Sequence, residues 1–124
     1  MSAEPMAGRP TADDPCDAGP PASAHPRLRL DDTFASPIRF SLMASLGGDL
    51  ELDFGTLASI LQVADSPLSK AISALQVAGY VTSRKGQVGS RPRTWVKATA
   101  KGERAFAAHV RALQEIVERG RDAR

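Results

Sequence analysis

The sequence predicts a mainly α-helical domain that carries one small β-hairpin. Three observations predict it. Apolar residues recur at helical spacing through the middle of the chain, two segments rich in β-branched residues flank a Gly-containing stretch, and a final apolar seam at helical spacing follows. With 124 residues there is room for one ordinary domain. No run of 18 apolar residues is present, so no membrane-spanning helix is predicted.

The first 26 residues differ in composition from the rest of the chain. They contain six of the nine prolines, carry a net charge of −3 and have almost no large apolar side chain. Such a segment buries too little apolar surface to offset the entropy of ordering its backbone, roughly 1–2 kcal/mol per residue. We therefore predict a disordered Pro/Ala-rich leader over residues 1–27 and a folded domain over residues 28–120. The leader has no apolar core like that of a signal peptide, so a cytoplasmic protein is expected.

Few residues are suited to catalysis, disulfide formation or metal binding. The single cysteine, Cys16, lies in the predicted leader and has no internal partner; we interpret it as a free thiol, with redox sensing as the alternative. His25 and His109 are isolated, so neither a metal centre nor a hydrolase triad is predicted. His109 is interpreted as an interface or surface histidine rather than a ligand. We expect no cofactor, no metal and no enzymatic activity.

The first two helices are predicted from caps and apolar spacing. Ser36-Pro37 is typical of a helix start, because Ser supplies a side-chain cap and Pro fits the first helical position. The apolar residues that follow are four apart and stop before Gly47-Gly48, a typical helix end: Ile38, Leu42 and Leu46. A minor strand is predicted over residues 50–53 and a second helix over residues 54–63.

A third helix is predicted over residues 67–78, where Ser66-Pro67 repeats the cap-plus-proline start. Its buried stripe consists of Leu68, Ile72 and Leu75. The opposite face carries small side chains and one positive charge, Lys70. Gly79 is expected to end this helix.

A long β-hairpin is predicted after the third helix. Strand-type residues 80–84 and 93–97 flank a Gly-containing basic loop over residues 85–92, which is longer than a tight turn needs and is expected to project. Trp95 is interpreted as a packing residue of the second strand. Thr99 is expected to cap a last helix, whose apolar seam has spacings of 4, 3 and 4 and is typical of a helix that packs on another helix: Phe106, Val110, Leu113 and Val117.

The order helix, helix, short turn, helix and hairpin predicts a winged helix–turn–helix with a three-helix core, a β-wing and a C-terminal dimerisation helix. In this fold the third helix enters a major groove about 12 Å wide, which favours small side chains, hydroxyls and Lys on its outer face. The residues of this helix predicted to contact DNA are Ser66, Ser69, Lys70 and Ser73. A Ser/Lys face that is merely solvated is the alternative.

The hairpin region holds most of the positive charge. Residues 84–104 contain seven basic side chains and one acidic one, a net charge of +6. Such a concentration repels itself unless a polyanion neutralises it, and Arg91-Pro92-Arg93 offers two guanidinium groups suited to phosphates or a minor groove. The hairpin residues predicted to contact DNA are Arg84, Lys85, Arg91, Arg93 and Lys97. A soluble basic loop without a ligand is the alternative.

Several motifs between residues 30 and 112 also match a known family. Ala78-Gly79-Tyr80-Val81 follows the third helix, Arg91-Pro92-Arg93-Thr94 lies in the hairpin, and Thr99-Ala100-Lys101-Gly102 opens the last helix. In these motifs the sequence resembles small bacterial winged-helix transcriptional regulators related to the MarR and ArsR types. The resemblance implies a transcription factor whose third helix reads the major groove and whose wing touches the DNA backbone or minor groove.

The resemblance also implies a homodimer on pseudo-palindromic double-stranded DNA. MarR-type relatives can bind a small-molecule effector, although no residue in this sequence marks a pocket for one. Independently, the last helix carries more apolar residues than a three-helix core needs, so we expect it to contact the first helix or the same helix of a second chain. The predicted dimerisation residues are Phe34, Phe106, Val110, Leu113 and Val117.

A second hypothesis is a protein-interaction module that keeps the winged-helix shape and lacks DNA binding. Its support is the modest outer face of the third helix, where Lys70 is the one charged residue. The two hypotheses differ in whether the basic wing and the third helix share one positive surface.

Overall fold

The computed structural model describes residues 24–122, which divide into two compact units. One unit contains residues 31–111, and the other contains the described residues 24–30 and 112–122. Cys16 and most of the predicted leader, residues 1–23, lie outside the described residues. Residues 26 and 27 of that predicted leader already belong to a short 3-10 helix, Pro26–Arg29.

Residues 31–111 have the predicted element order. The helices of the described chain are α1 (Pro37–Ser45), α2 (Phe54–Leu61), α3 (Asp65–Val77) and α4 (Ala100–Asp122), and the strands are β1 (Glu51–Asp53), β2 (Val81–Val88) and β3 (Arg91–Ala98). The sheet is antiparallel with the order β1-β3-β2, and a second 3-10 helix, Asp32–Phe34, precedes α1. The predicted winged helix–turn–helix is therefore confirmed.

The core of this unit forms where the predicted apolar stripes meet. α1 packs against both α2 and α3, and α3 contacts β2. The predicted stripe of α3 is buried as expected, with Ala71 beside it. The buried core residues are Phe34, Leu42, Met43, Leu46, Leu57, Leu68, Ala71, Ile72, Leu75, Val81, Val96 and Ala98. Burial of these side chains is the main favourable contribution to folding of the unit.

The predicted starts of α1 and α2 are confirmed, and the predicted end of α2 is wrong. The Ser36 hydroxyl accepts a hydrogen bond from the Arg39 amide, which confirms the predicted cap of α1. α2 ends at Leu61, two residues before its predicted end, because Gln62 adopts a left-handed conformation with φ 55°. Its amide donates to the Ala58 and Ser59 carbonyls and closes the last turn. The minor strand is confirmed as β1, which pairs with β3 over Trp95–Lys97.

The predicted start of α3 is wrong. The helix begins at Asp65, Ala64 occupies the cap position, and no side chain caps the helix, so Ser66 lies inside its first turn. Asp65 favours this earlier start because a carboxylate in the first turn interacts favourably with the positive end of the helix dipole. Pro67 is tolerated at the third helical position because the first-turn amides have no partner within the helix.

The predicted projecting loop of the hairpin is also wrong. β2 and β3 pair along their whole length, from Val81 opposite Ala98 to Val88 opposite Arg91, so only Gly89 and Ser90 remain as the turn. Gly89 has φ 65°, and a positive φ at the first of two turn positions is typical of tight hairpins. Pro92 lies where β3 extends beyond β1 and has one unpaired edge, a place where a strand accepts proline.

The start of α4 is joined closely to the end of α3. The Thr99 hydroxyl accepts from the Gly102 amide, as predicted, and donates to the Gly79 carbonyl at 2.7 Å. The Thr99 amide donates to the Tyr80 carbonyl. A Cβ at Gly102 would lie 2.1 Å from that carbonyl oxygen, so this approach of α4 requires glycine.

An aromatic cluster surrounds Phe34 in the same unit. The Phe34 ring stacks on Tyr80, with centroids 5.2 Å apart, and packs edge-on against Phe106. His109 is buried beside it, and its Nδ1 accepts a hydrogen bond from the Asp31 amide at 3.0 Å. Burial lowers the pKa of His109, an effect that the charge of Asp31 opposes. Phe34, predicted at a subunit contact, is thus a core residue of its own chain and is only 2% exposed.

The smaller unit has its own polar contacts. Arg29 forms an ion pair with Glu115 through both guanidinium amino groups, and the His25 ring caps the 3-10 helix by accepting from the Arg27 amide. Pro26 and Ala112 are its buried residues.

Substitution of Gly102 tests the close contact between α4 and Tyr80. Gly102→Ala places a methyl group against a backbone carbonyl, so we expect it to lower the free energy of unfolding by about 1–3 kcal/mol. Gly120→Ala is the matched control, because nothing lies within 4 Å of a Cβ there; it should raise the free energy of unfolding by roughly 0.5–1 kcal/mol through helix propensity. Urea denaturation measures both, and equal effects of the two substitutions would contradict the close approach.

Substitution of His109 tests its burial in the neutral form. Because its folded-state pKa is lowered, the folded state resists protonation; stability should be complete above about pH 6.5 and fall as the pH drops below the unfolded-state pKa of about 6.5. The slope has an upper limit of about 1.4 kcal/mol per pH unit. In urea denaturation between pH 7.5 and 5.5, His109→Gln should flatten this fall, whereas His25→Gln, at an exposed position, should retain it.

Candidate nucleic-acid interface

The outer face of α3 is open to solvent. Four of its residues, all of them predicted to contact DNA, are exposed: Ser66, Ser69, Lys70 and Ser73. Within residues 24–122, Lys70 has no ion pair or hydrogen bond to another side chain. Val77, in the last turn of α3, is 88% exposed. The face therefore presents hydroxyls, one ammonium group and one apolar side chain to a ligand.

A polar contact connects α3 with one face of the hairpin. The Gln76 side chain of α3 donates to the Ser83 hydroxyl of β2 at 2.8 Å. Because side chains alternate along a strand, Lys85 points to the same side of the sheet as Ser83 and the buried Val81. We call this side, which packs on α3, the inner face of the hairpin. Lys85 is exposed on it.

The other side of the sheet, the outer face, holds Arg84, Trp95 and Glu51. Both ends of the Arg84 guanidinium donate to the Glu51 carboxylate, at 2.8 and 2.9 Å, and the group lies 5.6 Å from the Trp95 ring centroid. The hydrogen bonds from Arg84 lower the pKa of Glu51. A Cβ on Gly86 would lie 3.2 Å from the Arg84 guanidinium, so glycine leaves room for this arrangement. Trp95 is half-buried and packs within the protein, as predicted.

Asp53 connects β1, α2 and β3. Its carboxylate accepts the hydroxyl and amide hydrogen bonds of Thr56, which cap α2, and it accepts from Arg93 at 2.9 Å. The Thr56 hydroxyl and Arg93 lower the pKa of Asp53 despite its burial. Arg93 is therefore bound to an acid in its own chain.

The pairing of acidic residues of the β1 segment with cations of the wing was not predicted from the sequence. Lys97 Nζ lies 4.0 Å from the exposed Asp49 carboxylate, so the segment from Asp49 to Asp53 faces three of the five predicted hairpin cations. The alternating pattern Asp-Leu-Glu-Leu-Asp was the available signal, because a strand paired with the wing would present its acids on one face. The net charge of +6 counted over residues 84–104 therefore overstates the positive charge that a ligand of the wing meets.

Lys85 and Arg91 are the remaining predicted hairpin cations. Both are exposed, and neither has an ion pair or hydrogen bond to another side chain in the described part of the chain. Arg91 also lines a groove of about 410 Å³ along the unpaired edge of β3, together with Asp53, Phe54, Gly55, Pro92, Arg93 and Thr94. The unpaired cations of the hairpin among the described residues thus lie in the middle of β2 and next to the turn.

The remaining predicted site residues lie on α4. Phe106 packs partly buried against the core, Val110 and Leu113 are half-buried, and Val117 is 54% exposed. A second recess of about 220 Å³ lies between α1 and α4, lined mostly by apolar residues and by Glu103. Residues 24–122 contain no cluster of three ligand-type side chains for a metal and no helix long and apolar enough to cross a membrane.

Comparisons with known proteins agree with this architecture. Residues 38–117 match the family described as winged helix DNA-binding domain. No curated protein matches the sequence significantly. Among solved structures, a transcriptional regulator homologue from Pyrococcus horikoshii OT3 superimposes with a TM-score of 0.66 at 23% identity, covering 71% of this chain and 87% of that chain.

Two further solved structures are similar. NadR in complex with 4-hydroxyphenylacetate has a TM-score of 0.56 at 24% identity, with 79% of this chain and 67% of that chain covered. A MarR-family transcriptional regulator from Silicibacter pomeroyi has a TM-score of 0.51 at 25% identity, with 75% and 62% covered. Because the family match extends over more than half of the sequence, the chain belongs to the winged helix DNA-binding domain family.

Proposed function

We propose that this protein is a transcriptional regulator that binds double-stranded DNA with the outer face of α3 and the wing. One observation carries the proposal: the exposed Ser/Lys face of α3 adjoins, through the Gln76–Ser83 hydrogen bond, the hairpin face that bears Lys85. A duplex of DNA presents base edges in a groove and phosphates on either side of it, and this surface offers donors for both.

The outer face of α3 is suited to direct readout of bases. Ser69 and Ser73 are short enough to let the helix backbone approach the groove floor, and hydroxyls hydrogen-bond to several base edges. Lys70 donates to guanine O6 and N7 or to a phosphate. A buried α3 would have excluded this role, and its exposed face supports it.

A protein-interaction module remains the second candidate, and the paired acids of β1 are the observation that favours it. They reduce the positive charge of the wing, which weakens the electrostatic part of DNA binding. Lys70 and Lys85, which are both exposed and unpaired among residues 24–122, support DNA as the partner. The DNA-binding role requires access to the chromosome, in agreement with the cytoplasmic location expected from the sequence; no catalytic step is part of it.

We also propose that the protein acts as a homodimer through α4. The partly exposed side chains of Val110, Leu113 and Val117 keep the 3- and 4-residue spacing of a helix–helix seam. A two-fold dimer would present two copies of α3 to successive half-sites of a pseudo-palindromic operator. NadR is solved with a small carboxylic acid bound, and in this chain the recess between α1 and α4 is the place we propose for a small-molecule effector.

The DNA-binding role predicts a defined effect of Lys70. After selection of tight-binding duplexes from a random library, fluorescence anisotropy should give nanomolar to sub-micromolar affinity at low salt, with a steep salt dependence. Lys70→Ala should weaken binding to the selected duplex by roughly 1–3 kcal/mol and relax the preference at one base position of each half-site.

The control is Lys101→Ala, which removes the same charge from a side chain that lies over the Tyr80 ring. It should change the affinity far less and leave base preference intact. If the wild-type protein binds no duplex more tightly than about 100 µM at low salt, the DNA-binding role is wrong and the interaction module gains support.

If α4 forms the dimer interface, a charged residue in place of Val117 should convert the dimer in solution to a monomer. Val117→Glu places a charge in the proposed seam at an exposed position, so sedimentation equilibrium should show monomers while far-UV circular dichroism shows that the monomer keeps its helices. Val77→Glu is the control, because Val77 is also an exposed valine but lies on α3; it should remain dimeric. A dimer that persists in Val117→Glu and in Leu113→Glu would exclude this interface.

A further inference from the structure

The five predicted hairpin cations are not equivalent, because strand alternation divides them between two faces. Register pairs place Arg84 opposite Trp95, Thr82 opposite Lys97 and Gly86 opposite Arg93, so these side chains share the outer face. Lys85 lies on the inner face, which contacts α3 through Ser83. A ligand bound along α3 therefore meets Lys85 directly and meets the outer face only from the side.

Arg84 and Arg93 are held by contacts that use their donor groups. Arg84 has two hydrogen bonds to Glu51 and lies over Trp95, and Arg93 is bound to the buried Asp53 carboxylate. A phosphate would have to replace a carboxylate in each case, with no gain in the number of ion pairs. If a phosphate drew Arg93 away from Asp53, the Asp53 carboxylate, which is only 7% exposed, would lose its cation. An unpaired buried charge is unfavourable.

Position along the wing distinguishes the other outer-face cations. Lys97 is six residues from Arg91 along β3, a distance of about 20 Å at the usual rise of about 3.3 Å per residue, and is therefore at the base of the wing. Arg91 pairs in register with Val88 next to the turn, is exposed, and lines the groove along the free edge of β3. Arg91 is therefore the unpaired hairpin cation nearest the turn among the described residues, whereas Lys97 lies at the far end of β3 beside Asp49.

We propose that Lys85 and Arg91 are the wing residues that contact DNA phosphates, and that Arg84 and Arg93 are positioning residues that fix the wing to the acidic strand β1. This inference rests on the proposed DNA-binding function. Asp53 and Glu51 belong to the positioning contacts: they hold the wing at its angle to α3 and keep two guanidinium groups away from DNA. The interface then has two phosphate contacts per wing rather than five.

The salt dependence of DNA affinity separates the two roles. Each lost phosphate contact lowers the slope of log affinity against log salt by about 0.9 per chain bound. We expect Lys85→Ala and Arg91→Ala each to lower the slope by that amount. Arg84→Ala and Arg93→Ala should weaken binding while the slope stays at the wild-type value, because DNA binding must then order a loosened wing although Lys85 and Arg91 still contact phosphates in the complex. Circular dichroism of each variant establishes that it is folded.

If Arg93→Ala fails to fold, a more conservative variant still tests the role of Arg93. Arg93→Gln has no charge but retains N–H groups that can donate to Asp53, so a positioning role predicts an affinity close to that of the wild-type protein at an unchanged slope. A residue that contacts phosphate through its charge would show no such rescue. Asp53→Asn should weaken DNA binding, although it removes a negative charge from the protein.

Specific results would overturn the inference. A fall of about 0.9 in slope for Arg84→Ala or Arg93→Ala would make those residues phosphate contacts. Tighter binding with a steeper slope in Asp53→Asn would show that the carboxylate competes with DNA for Arg93. An unchanged slope in Arg91→Ala or Lys85→Ala would remove that residue from the interface. Wild-type binding with a steep slope upholds the proposed function whatever the variants show, whereas absence of wild-type binding overturns both.

Discussion

The position of the wing depends on one buried carboxylate. Asp53 ends β1, caps α2 through the Thr56 amide and hydroxyl, and binds Arg93 of β3, so a single side chain joins a helix start to two strands. A carboxylate at this depth requires its partners, because an unpaired buried charge is costly. The same requirement that stabilises the junction also restricts where β3 can lie relative to α2.

Helical periodicity predicted most of the core, because the residues that determine it are close in sequence. Leu68, Ile72 and Leu75 are buried as their spacing indicated, and Thr99 caps α4 through a contact three residues away. The start of α3 was misplaced because Ser66-Pro67 matched a cap pattern, whereas Asp65 at the first helical position favours the earlier start. When two such local patterns compete, the sequence places a helix boundary only to within a few residues.

The candidate site was less predictable, because its contacts are distant in sequence. Glu51 and Arg84 are 33 residues apart and Asp53 and Arg93 are 40 apart. Only the antiparallel pairing of β3 with both β1 and β2 brings them together. The extended pairing of β2 with β3 also removed the expected loop, leaving Gly89 and Ser90 as the turn. The basic residues of the hairpin were evident from the sequence, but their division between two faces of the sheet required the register.

A count of basic residues is consequently a poor measure of a nucleic-acid surface. Electrostatic attraction to phosphates depends on the charge that remains after pairing within the protein, and a guanidinium bound to a carboxylate contributes little net field. Here the pairing acids lie on an adjacent strand that is short and easily overlooked, while Lys85 and Arg91 remain unpaired in the described chain. Acids that hold basic side chains in place thereby leave the unpaired positive charge at a few positions of the wing, which favours one docking geometry over non-specific contact along the whole sheet.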